Sequence, residues 1–232
     1  MSQPLIFISG WGTTDAVWKP VLDLWGRCQP VSMFSWAQCL QEENPLNLHL
    51  EAATEAAIVV GWSLGSLLAL QAALSRPEKV AGLCLISPTS RMIEDEAYVG
   101  VPEKVLKAML VQFKRKPLAV MENFAENCFY PRKKPVFCSL FMDMAQSFPH
   151  ESMNRGLRFL KETDLRARLS HVEAPVLLLH GREDAIIPVE QGRHLEAHLN
   201  KATLAVASGG HGLPLTHPFW LARKISDFYD QL

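Results

Sequence analysis

The stretch VVGWSLGSLLALQ, residues 59–71, places one serine between two glycines where an apolar run changes to a helical pattern. The residues before Ser63 are typical of a buried strand, and those after it of a helix. A chain that turns this sharply forces Ser63 into strained backbone geometry. Gly61 and Gly65 then approach too closely to carry side chains. We expect the bend to lift the Ser63 hydroxyl onto a helix N-terminus, where backbone N–H groups favour developing negative charge.

Strand-like and helical segments alternate through most of the chain, which predicts an α/β fold. The strands are predicted at 5–9, 30–34, 57–61, 80–87, 175–181 and 202–207, and the helices at 15–26, 47–56, 64–75, 190–199 and 217–230. Most strands are nearly continuous in apolar residues, as in parallel strands covered on both faces. This order predicts a mostly parallel sheet of about six strands flanked by helices.

The alternation stops between about 91 and 165, where the sequence is helical in composition and rich in Met and Phe. We interpret residues 91–165 as a helical cap inserted into a core formed by 1–90 and 166–232. Ligands of open α/β sheets bind outside the carboxyl ends of the strands, and we expect the cap to cover that edge.

Composition narrows the function classes. Hydrophobic residues make up 48% of the 232 and charged residues 20%, which is enough for a sizeable core, and the net charge of −1 argues against nucleic acid as the main ligand. The five cysteines show neither C-x-x-C spacing nor a His/Cys cluster, so neither a metal nor a cofactor is expected. The N-terminal apolar run is too short for a signal peptide or a membrane span, which predicts a cytoplasmic protein. We also expect it to be a monomer.

Residues 61–65 fit the motif G-x-S-x-G, which in a strand–turn–helix context carries a nucleophilic serine. A glycine-flanked helix N-cap would give the same letters. Where the motif is catalytic, an acid and then a histidine follow the serine along the chain. Asp184 lies just past the strand at 175–181, with Glu183 as its nearest rival, and an ordinary turn residue is the simpler alternative. His211 lies in a glycine-rich loop after the last strand.

Seven other histidines compete with His211 for the role of base. His180 ends a strand, which favours local hydrogen bonding, and His194 and His198 lie four apart on one helix without a third ligand. The others are His49, His150, His171 and His217.

An oxyanion hole needs two backbone N–H donors. One is expected from Leu64, which follows the serine. The other is expected from Trp11, in the loop after the first strand, whose side chain could equally be a core aromatic.

With these residues placed, the chain resembles the α/β-hydrolase superfamily along its full length. It is most similar there to the pimeloyl-[acyl-carrier protein] methyl ester carboxylesterases of biotin synthesis. The matching pieces are GWG with VW six residues after Trp11, GWSLG with LLALQAALSRPEKV, and GLRFLKETDLRARL leading into VEAPVLLLHGREDAIIP. The resemblance implies a triad of Ser63, Asp184 and His211 and an oxyanion hole of Trp11 and Leu64. It also implies a substrate-binding set of Trp11, Trp62, Phe124 and Cys128.

Three features depart from this family. Ser9-Gly10 stands where His-Gly is usual, and SMFSWAQCLQEENP replaces the D-x-x-G-x-G-x-S loop expected before the nucleophile strand. The first strand here matches the one that usually comes third. These differences affect an edge and a loop, so we expect the fold to hold and the substrate to be the part in question.

Positive charge is concentrated in the predicted cap. Residues 104–134 contain eight Lys or Arg and two Glu, so the rest of the chain is net negative. Such segregation suits docking of an acidic protein, as acyl carrier protein is in the family resembled. A merely solvated helical face is the alternative. The docking residues we predict are Lys114, Arg115, Lys116, Arg132, Lys133 and Lys134.

These features predict a serine carboxylesterase acting on pimeloyl-[acyl-carrier protein] methyl ester. Two alternatives remain at this level. One is a general short-acyl carboxylesterase or thioesterase, and the other is a receptor that binds a ligand on a hydrolase scaffold without turnover. A haloalkane dehalogenase would need Asp at position 63 and is excluded.

Overall fold

The computed structural model of the chain describes residues 3–132 and 134–232. Its strands are β1 (Leu5–Ile8), β2 (Val31–Phe34), β3 (Ala57–Trp62), β4 (Val80–Ile86), β5 (Val176–Gly181) and β6 (Ala202–Ala207). Its α-helices are α1 (Lys19–Leu22), α2 (Trp36–Cys39), α3 (Pro45–Ala52), α4 (Leu64–Ser75), α5 (Glu103–Arg115), α6 (Pro117–Cys128), α7 (Pro135–Ala145), α8 (His150–Glu162), α9 (Val189–His198), α10 (Leu213–Thr216) and α11 (Pro218–Tyr229).

The six strands form one parallel sheet in the order β2-β1-β3-β4-β5-β6, which confirms the predicted fold class. β1, β3 and β5 are buried at every position, because helices cover both faces of the sheet there. β2 and β6, at the two edges, are only partly buried. Burial thus explains why the central strands are continuous apolar runs in the sequence.

The segment 15–26 differs from its prediction. A single helix was expected, but Asp15–Trp18 form a 3₁₀ turn and only Lys19–Leu22 are α-helical. Pro20 has no N–H to donate to the carbonyl of residue 16, so an α-helical ladder cannot run through both pieces. Thr14 caps the 3₁₀ turn by accepting the N–H of Ala16 at 3.3 Å. Gly26, at φ +63°, ends the segment.

The strand order creates a crevice at the carboxyl ends of the central strands. The chain passes from β1 to β2 on one side of β1, returns to β3 on the other side, and continues to β4, so the connections that leave the parallel strands β1 and β3 run to opposite sides. Ligands of open parallel sheets bind at such a switch point, outside the carboxyl ends of the strands. Trp11 follows β1 and Ser63 follows β3, which places both at this crevice.

Helices α5 to α8 lie between β4 and β5 along the sequence and cover the carboxyl ends of the strands. The carbonyl of Met153 in α8 accepts the indole N–H of Trp11 at 2.9 Å, and Phe113 and Phe124 pack edge-on against the same ring. A side chain at Gly212, in the loop after β6, would collide with the ring of Phe129. We call α5–α8 the cap; the boundaries 91–165 for it and 1–90 with 166–232 for the core stay a prediction. None of the helices described is long and apolar enough to span a membrane.

Candidate active site

Ser63 occupies a strained bend between β3 and α4. Its φ is +57° and its ψ −119°, a conformation that an L-residue adopts only when its surroundings enforce it. A Cβ at Gly61 would lie 2.4 Å from the carbonyl oxygen of Gly65 in α4. A Cβ at Gly65 would lie 2.4 Å from the carbonyl oxygen of Ile8, at the end of β1. The first glycine therefore allows the bend itself, and the second allows α4 to pack against β1.

His211 lies beside the serine on a loop that the core holds in place. Its Nε2 is 2.9 Å from Ser63 Oγ, and its side chain is fully buried. Its backbone carbonyl accepts the indole N–H of Trp62 at 3.0 Å and the hydroxyl of Ser87 at 3.3 Å. Residues next to the nucleophile and after β4 thus fix a loop that follows β6.

Asp184 follows β5 and completes the arrangement. Its Oδ2 accepts the Nδ1–H of His211 at 2.8 Å, and its Oδ1 accepts the backbone N–H groups of Ile186 at 2.9 Å and Ile187 at 2.8 Å. Burial alone would raise the pKa of this carboxyl. The charge of His211 and the hydrogen bonds from His180 and His211 outweigh burial and hold the pKa of Asp184 well below its ordinary value. The acid is therefore an anion at neutral pH.

The contacts fix the tautomer of the histidine. An ionised carboxylate only accepts hydrogen bonds, so Nδ1 of His211 carries the proton that points at Asp184. Its Nε2 then has a free lone pair, which accepts the hydroxyl proton of Ser63. This arrangement can deprotonate a serine hydroxyl as the hydroxyl attacks an electrophilic carbon.

The two predicted oxyanion donors lie on either side of the bend. Leu64 is the first residue of α4, and its N–H is one of the four at a helix start without an intrahelical acceptor. Trp11 follows β1, and no acceptor for its N–H is found in the part of the chain that the structure describes. Their role as oxyanion donors remains a prediction.

Ser9, in place of the usual histidine, ties down the loop that carries Trp11. Its hydroxyl donates to the carbonyl of Thr13 at 2.7 Å and accepts the backbone N–H of Trp36 at 3.3 Å. Thr13 in turn donates to the carbonyl of Gly10 at 2.8 Å. The departure from the family therefore leaves this loop held by side-chain hydrogen bonds, with part of the substituted segment 32–45 as an anchor.

The rival acid and the rival bases lie elsewhere, with one exception. Glu183 has a buried Oε2 for which no hydrogen-bond partner is found among the described residues, and it does not contact His211. His194 and His198 stack on each other in α9 at 4.0 Å between ring centroids. The exception is His180, whose Nε2 lies 3.4 Å from Asp184 Oδ2. Sequence reasoning assigned it only local hydrogen bonds; its position four residues before Asp184 was the available signal.

The four predicted substrate-binding residues divide into two groups. Trp11 and Trp62 are buried and use their indole N–H groups to hold the cap and the His211 loop. Cys128 is also buried, and burial raises the pKa of its thiol well above the ordinary value, with nearby Asp184 and Cys138 adding to the rise. Phe124 is half-buried and lies 6.4 Å from the His211 ring, between centroids. Of the four, Phe124 alone lines the large cavity described next.

A cavity of about 1050 Å³ lies between α5, α6 and the loop after β5. Its walls are mainly apolar, with Val105, Met109, Val120 and Ile186 among them, and it also has Lys104, Arg115 and Lys116 in its lining. Ser63 and His211 do not line it; Ser63 is 5% exposed and His211 is fully buried. Phe124 lines the cavity and also packs against Trp11, so its ring stands between the cavity and the triad.

The predicted docking residues lie on the cap surface. Lys114, Arg115 and Lys116 are exposed at the junction of α5 and α6, while Arg132 and Lys134 are exposed between α6 and α7. Lys133 lies outside the described residues. No ion pair links the five described cations to a carboxylate of the described chain, whereas Lys107 and Lys161 both contact Glu103, at 2.9 and 3.7 Å. The cap therefore presents positive charge that is not neutralised locally.

The fold and the serine–histidine–aspartate arrangement define an alpha/beta hydrolase. A family model described as "Alpha/beta hydrolase family" matches residues 5–224, and the chain belongs to that family. The predicted resemblance is thereby confirmed.

Named relatives within this family are similar to the chain over nearly its whole length. A pimeloyl-[acyl-carrier protein] methyl ester esterase of Vibrio vulnificus is 30% identical over 244 residues, covering 97% of this chain and 93% of the relative. The protein of the same name from Photobacterium profundum is 27% identical, with the same coverage of both chains. Family and relatives together confirm the predicted class of carboxylic ester hydrolase.

Solved structures show the same fold at low sequence identity. A hydrolase from Oleispira antarctica superposes with a TM-score of 0.90 at 14% identity, covering 100% of this chain and 92% of its own. An esterase from Exiguobacterium antarcticum superposes with a TM-score of 0.85 at 16% identity, covering 98% and 92%.

Proposed function

We propose that the protein is a serine carboxylesterase that removes the methyl group from the ester of a pimeloyl chain carried on acyl carrier protein. The observation that carries the proposal is a buried chain of two hydrogen bonds. Ser63 Oγ lies 2.9 Å from His211 Nε2, and His211 Nδ1 lies 2.8 Å from Asp184 Oδ2. The names of the relatives support the substrate. The reaction would close the chain-elongation stage of biotin synthesis, in the cytoplasm and by a monomer.

The proposed reaction has two halves. Ser63 Oγ attacks the ester carbonyl while His211 Nε2 takes the hydroxyl proton, and the N–H groups of Trp11 and Leu64 hold the oxyanion. The tetrahedral intermediate collapses, and methanol leaves with the proton from His211. Water then gives a proton to His211 and attacks the acyl-enzyme, which releases the free acid and restores the Ser63 hydroxyl. Asp184 holds the imidazole in the required tautomer throughout.

Two features of the cap support a carrier-bound acyl chain as the substrate. The cavity has the volume and the apolar walls that suit a flexible acyl group. Arg115 and Lys116 line it, and Lys114 is their exposed neighbour, so one exposed cluster of cations lies beside the cavity. Acyl carrier protein is acidic, and such a cluster would attract it and orient it next to the cavity.

The role of the serine is tested by Ser63→Ala, assayed on a short p-nitrophenyl ester. We expect turnover to fall at least about 10⁴-fold with folding unchanged, because the nucleophile is lost. Ser75→Ala is the matched control, at the exposed end of the same helix. Retained turnover in Ser63→Ala would refute the mechanism, and absence of ester hydrolysis by the wild type would favour a receptor.

The role of the carrier is tested by reversing the charge of Lys114, Arg115 and Lys116 to glutamate. We expect kcat/KM for the carrier-bound methyl ester to fall about tenfold or more at low salt, and that for the p-nitrophenyl ester to stay within about twofold. Reversal of Arg193, Lys201 and Arg223 changes the net charge equally away from the cap and is the control. Equal effects on both substrates would favour a general short-acyl esterase or thioesterase. The pathway is tested in a bacterial strain that lacks its own pimeloyl-ester esterase. We expect expression of this protein to restore growth without biotin.

A further inference from the structure

A second histidine contacts the proposed catalytic acid. His180 is in β5, four residues before Asp184, and its side chain is fully buried. Its Nε2 lies 2.9 Å from the carbonyl oxygen of Ile187 and 3.4 Å from Asp184 Oδ2. The mechanism above does not use this residue.

The surroundings of the ring determine where its proton lies. The Ile187 carbonyl can only accept, so Nε2 of His180 carries a hydrogen, which is shared between that carbonyl and the carboxylate. Its Nδ1 is buried, and no partner for it is found within residues 3–132 and 134–232. That atom faces α9, where a Cβ built on Gly192 would lie only 2.8 Å away. The ring therefore lies between α9 and the loop after β5, with its N–H bonded to the Ile187 carbonyl at 2.9 Å and also within 3.4 Å of Asp184 Oδ2.

The two oxygens of Asp184 have different partners. Oδ1 receives the two backbone N–H groups of Ile186 and Ile187, which fix the carboxylate to its own loop. Oδ2 receives His211 at 2.8 Å and the longer contact from His180 at 3.4 Å. The oxygen that orients the catalytic base therefore shares its charge with a second N–H donor.

We infer that His180 is a positioning residue of the proposed esterase, which holds Asp184 Oδ2 in line with His211 and withdraws part of its negative charge. The inference rests on the proposed function, since it assigns to His180 an effect on the acid of that same triad. His180 touches neither the cavity nor Ser63, so it acts through Asp184 alone.

Removal of the donor has a defined consequence for the pH dependence. In His180→Leu the full charge of Oδ2 faces His211, which then holds its proton more tightly. The acidic limb of the kcat/KM profile therefore moves to higher pH. Among the described residues, the titratable groups that act on Asp184 are His180 and His211, and Cys128 lies close by on α6 as a neutral thiol. We expect kcat to fall about tenfold, as for loss of a hydrogen bond to a charged group, with KM unchanged.

Two further variants separate positioning from packing. His180→Gln retains an amide N–H near the position of Nε2, and we expect it to restore most of kcat and the wild-type limb. Gly192→Ala adds a methyl group that must displace the His180 ring, while alanine suits the helix better than glycine. We expect this variant to keep its melting temperature and to lose kcat about threefold or more, with KM unchanged.

The experiment is a set of pH profiles of kcat and kcat/KM on a short p-nitrophenyl ester, with melting temperatures, for wild type and the three variants. A His180→Leu enzyme with an unmoved acidic limb and wild-type kcat overturns the inference, as does an equal loss in Leu and Gln. If Ser63→Ala turns over normally, the proposed function itself fails. Activity that depends on Ser63 but not on His180 removes only the role of His180.

Discussion

Replacement of Asp184 by asparagine tests the proposed triad through the tautomer of its histidine. Oδ1 of Asp184 accepts the backbone N–H groups of Ile186 and Ile187, at 2.9 and 2.8 Å. In Asp184→Asn we expect the amide oxygen to keep that position, because an NH₂ group there would face two close backbone donors. At the Oδ2 position it faces only the longer His180 contact at 3.4 Å and His211, which can change tautomer. The NH₂ group is therefore directed at His211 Nδ1, 2.8 Å from the replaced oxygen.

The magnitude follows from this forced orientation. Nδ1 of His211 must then accept a hydrogen bond, so the proton moves to Nε2, and the lone pair that faced Ser63 at 2.9 Å is lost. The enzyme has to recover the reactive tautomer against the amide in every turnover. In other Ser-His-Asp enzymes this substitution lowers kcat about 10⁴-fold, which corresponds to about 5.5 kcal/mol. We expect a similar loss here, since the pair is fully buried and water cannot replace the carboxylate.

The assay is steady-state hydrolysis of a short p-nitrophenyl ester by Asp184→Asn, with circular dichroism and thermal unfolding to show that the fold persists. Because the amide preserves shape and three hydrogen bonds, we expect a KM within about threefold of the wild type. Glu183→Gln is the matched control, at the neighbouring acid that does not contact His211, and should retain activity. A folded Asp184→Asn enzyme with kcat within tenfold of the wild type would refute the proposed role of the acid.

Three further outcomes are expected. Gly61→Ala places a Cβ 2.4 Å from the Gly65 carbonyl oxygen, so both turnover and melting temperature should fall; normal values of both would show that the bend relaxes easily. Phe124→Ala opens the cavity towards Ser63, so kcat/KM for bulky aryl esters should rise while the free energy of unfolding drops by about 1–3 kcal/mol, and unchanged selectivity would argue against a barrier at this ring. The pKa of Asp184 is lower in the folded than in the unfolded state, so stability present above the ordinary pKa of 3.8 is lost as pH falls below it. Denaturant titrations below about pH 4 should therefore show a steeper loss for wild type than for Asp184→Asn, and parallel curves would contradict this.

Local patterns in the sequence were enough to predict the sheet and the order of the chemical groups. Apolar runs marked all six strands to within two residues at each end, because central strands covered on both faces admit little else. Pro20 shows where such patterns fail: 15–26 has helical periodicity, but one missing N–H divides it into a 3₁₀ turn and a short helix.

The sequence also identified Ser63, Asp184 and His211 as candidates, since each lies within a few residues after the end of a predicted strand and the carboxyl ends of parallel strands meet on one side of the sheet. The positions of these three residues at the ends of strands can be predicted from the sequence, because the strain at Ser63 and the turns after β5 and β6 involve neighbours only a few residues apart. Glycine at 61 is required by a contact within the sharp bend itself, whereas glycine at 65 is required by the packing of α4 against the end of β1.

Only the tertiary structure shows which other side chains hold Ser63, Asp184 and His211 in place. Trp62 and Ser87 hold the carbonyl of His211 across 149 and 124 residues of sequence. The N–H of His180 lies within reach of Asp184 Oδ2 as well as of the Ile187 carbonyl. The same holds for Phe124, which packs between the cavity and the buried pair of Ser63 and His211. Side-chain direction across separate elements depends on how helices and strands pack, and neither periodicity nor motif spacing encodes it.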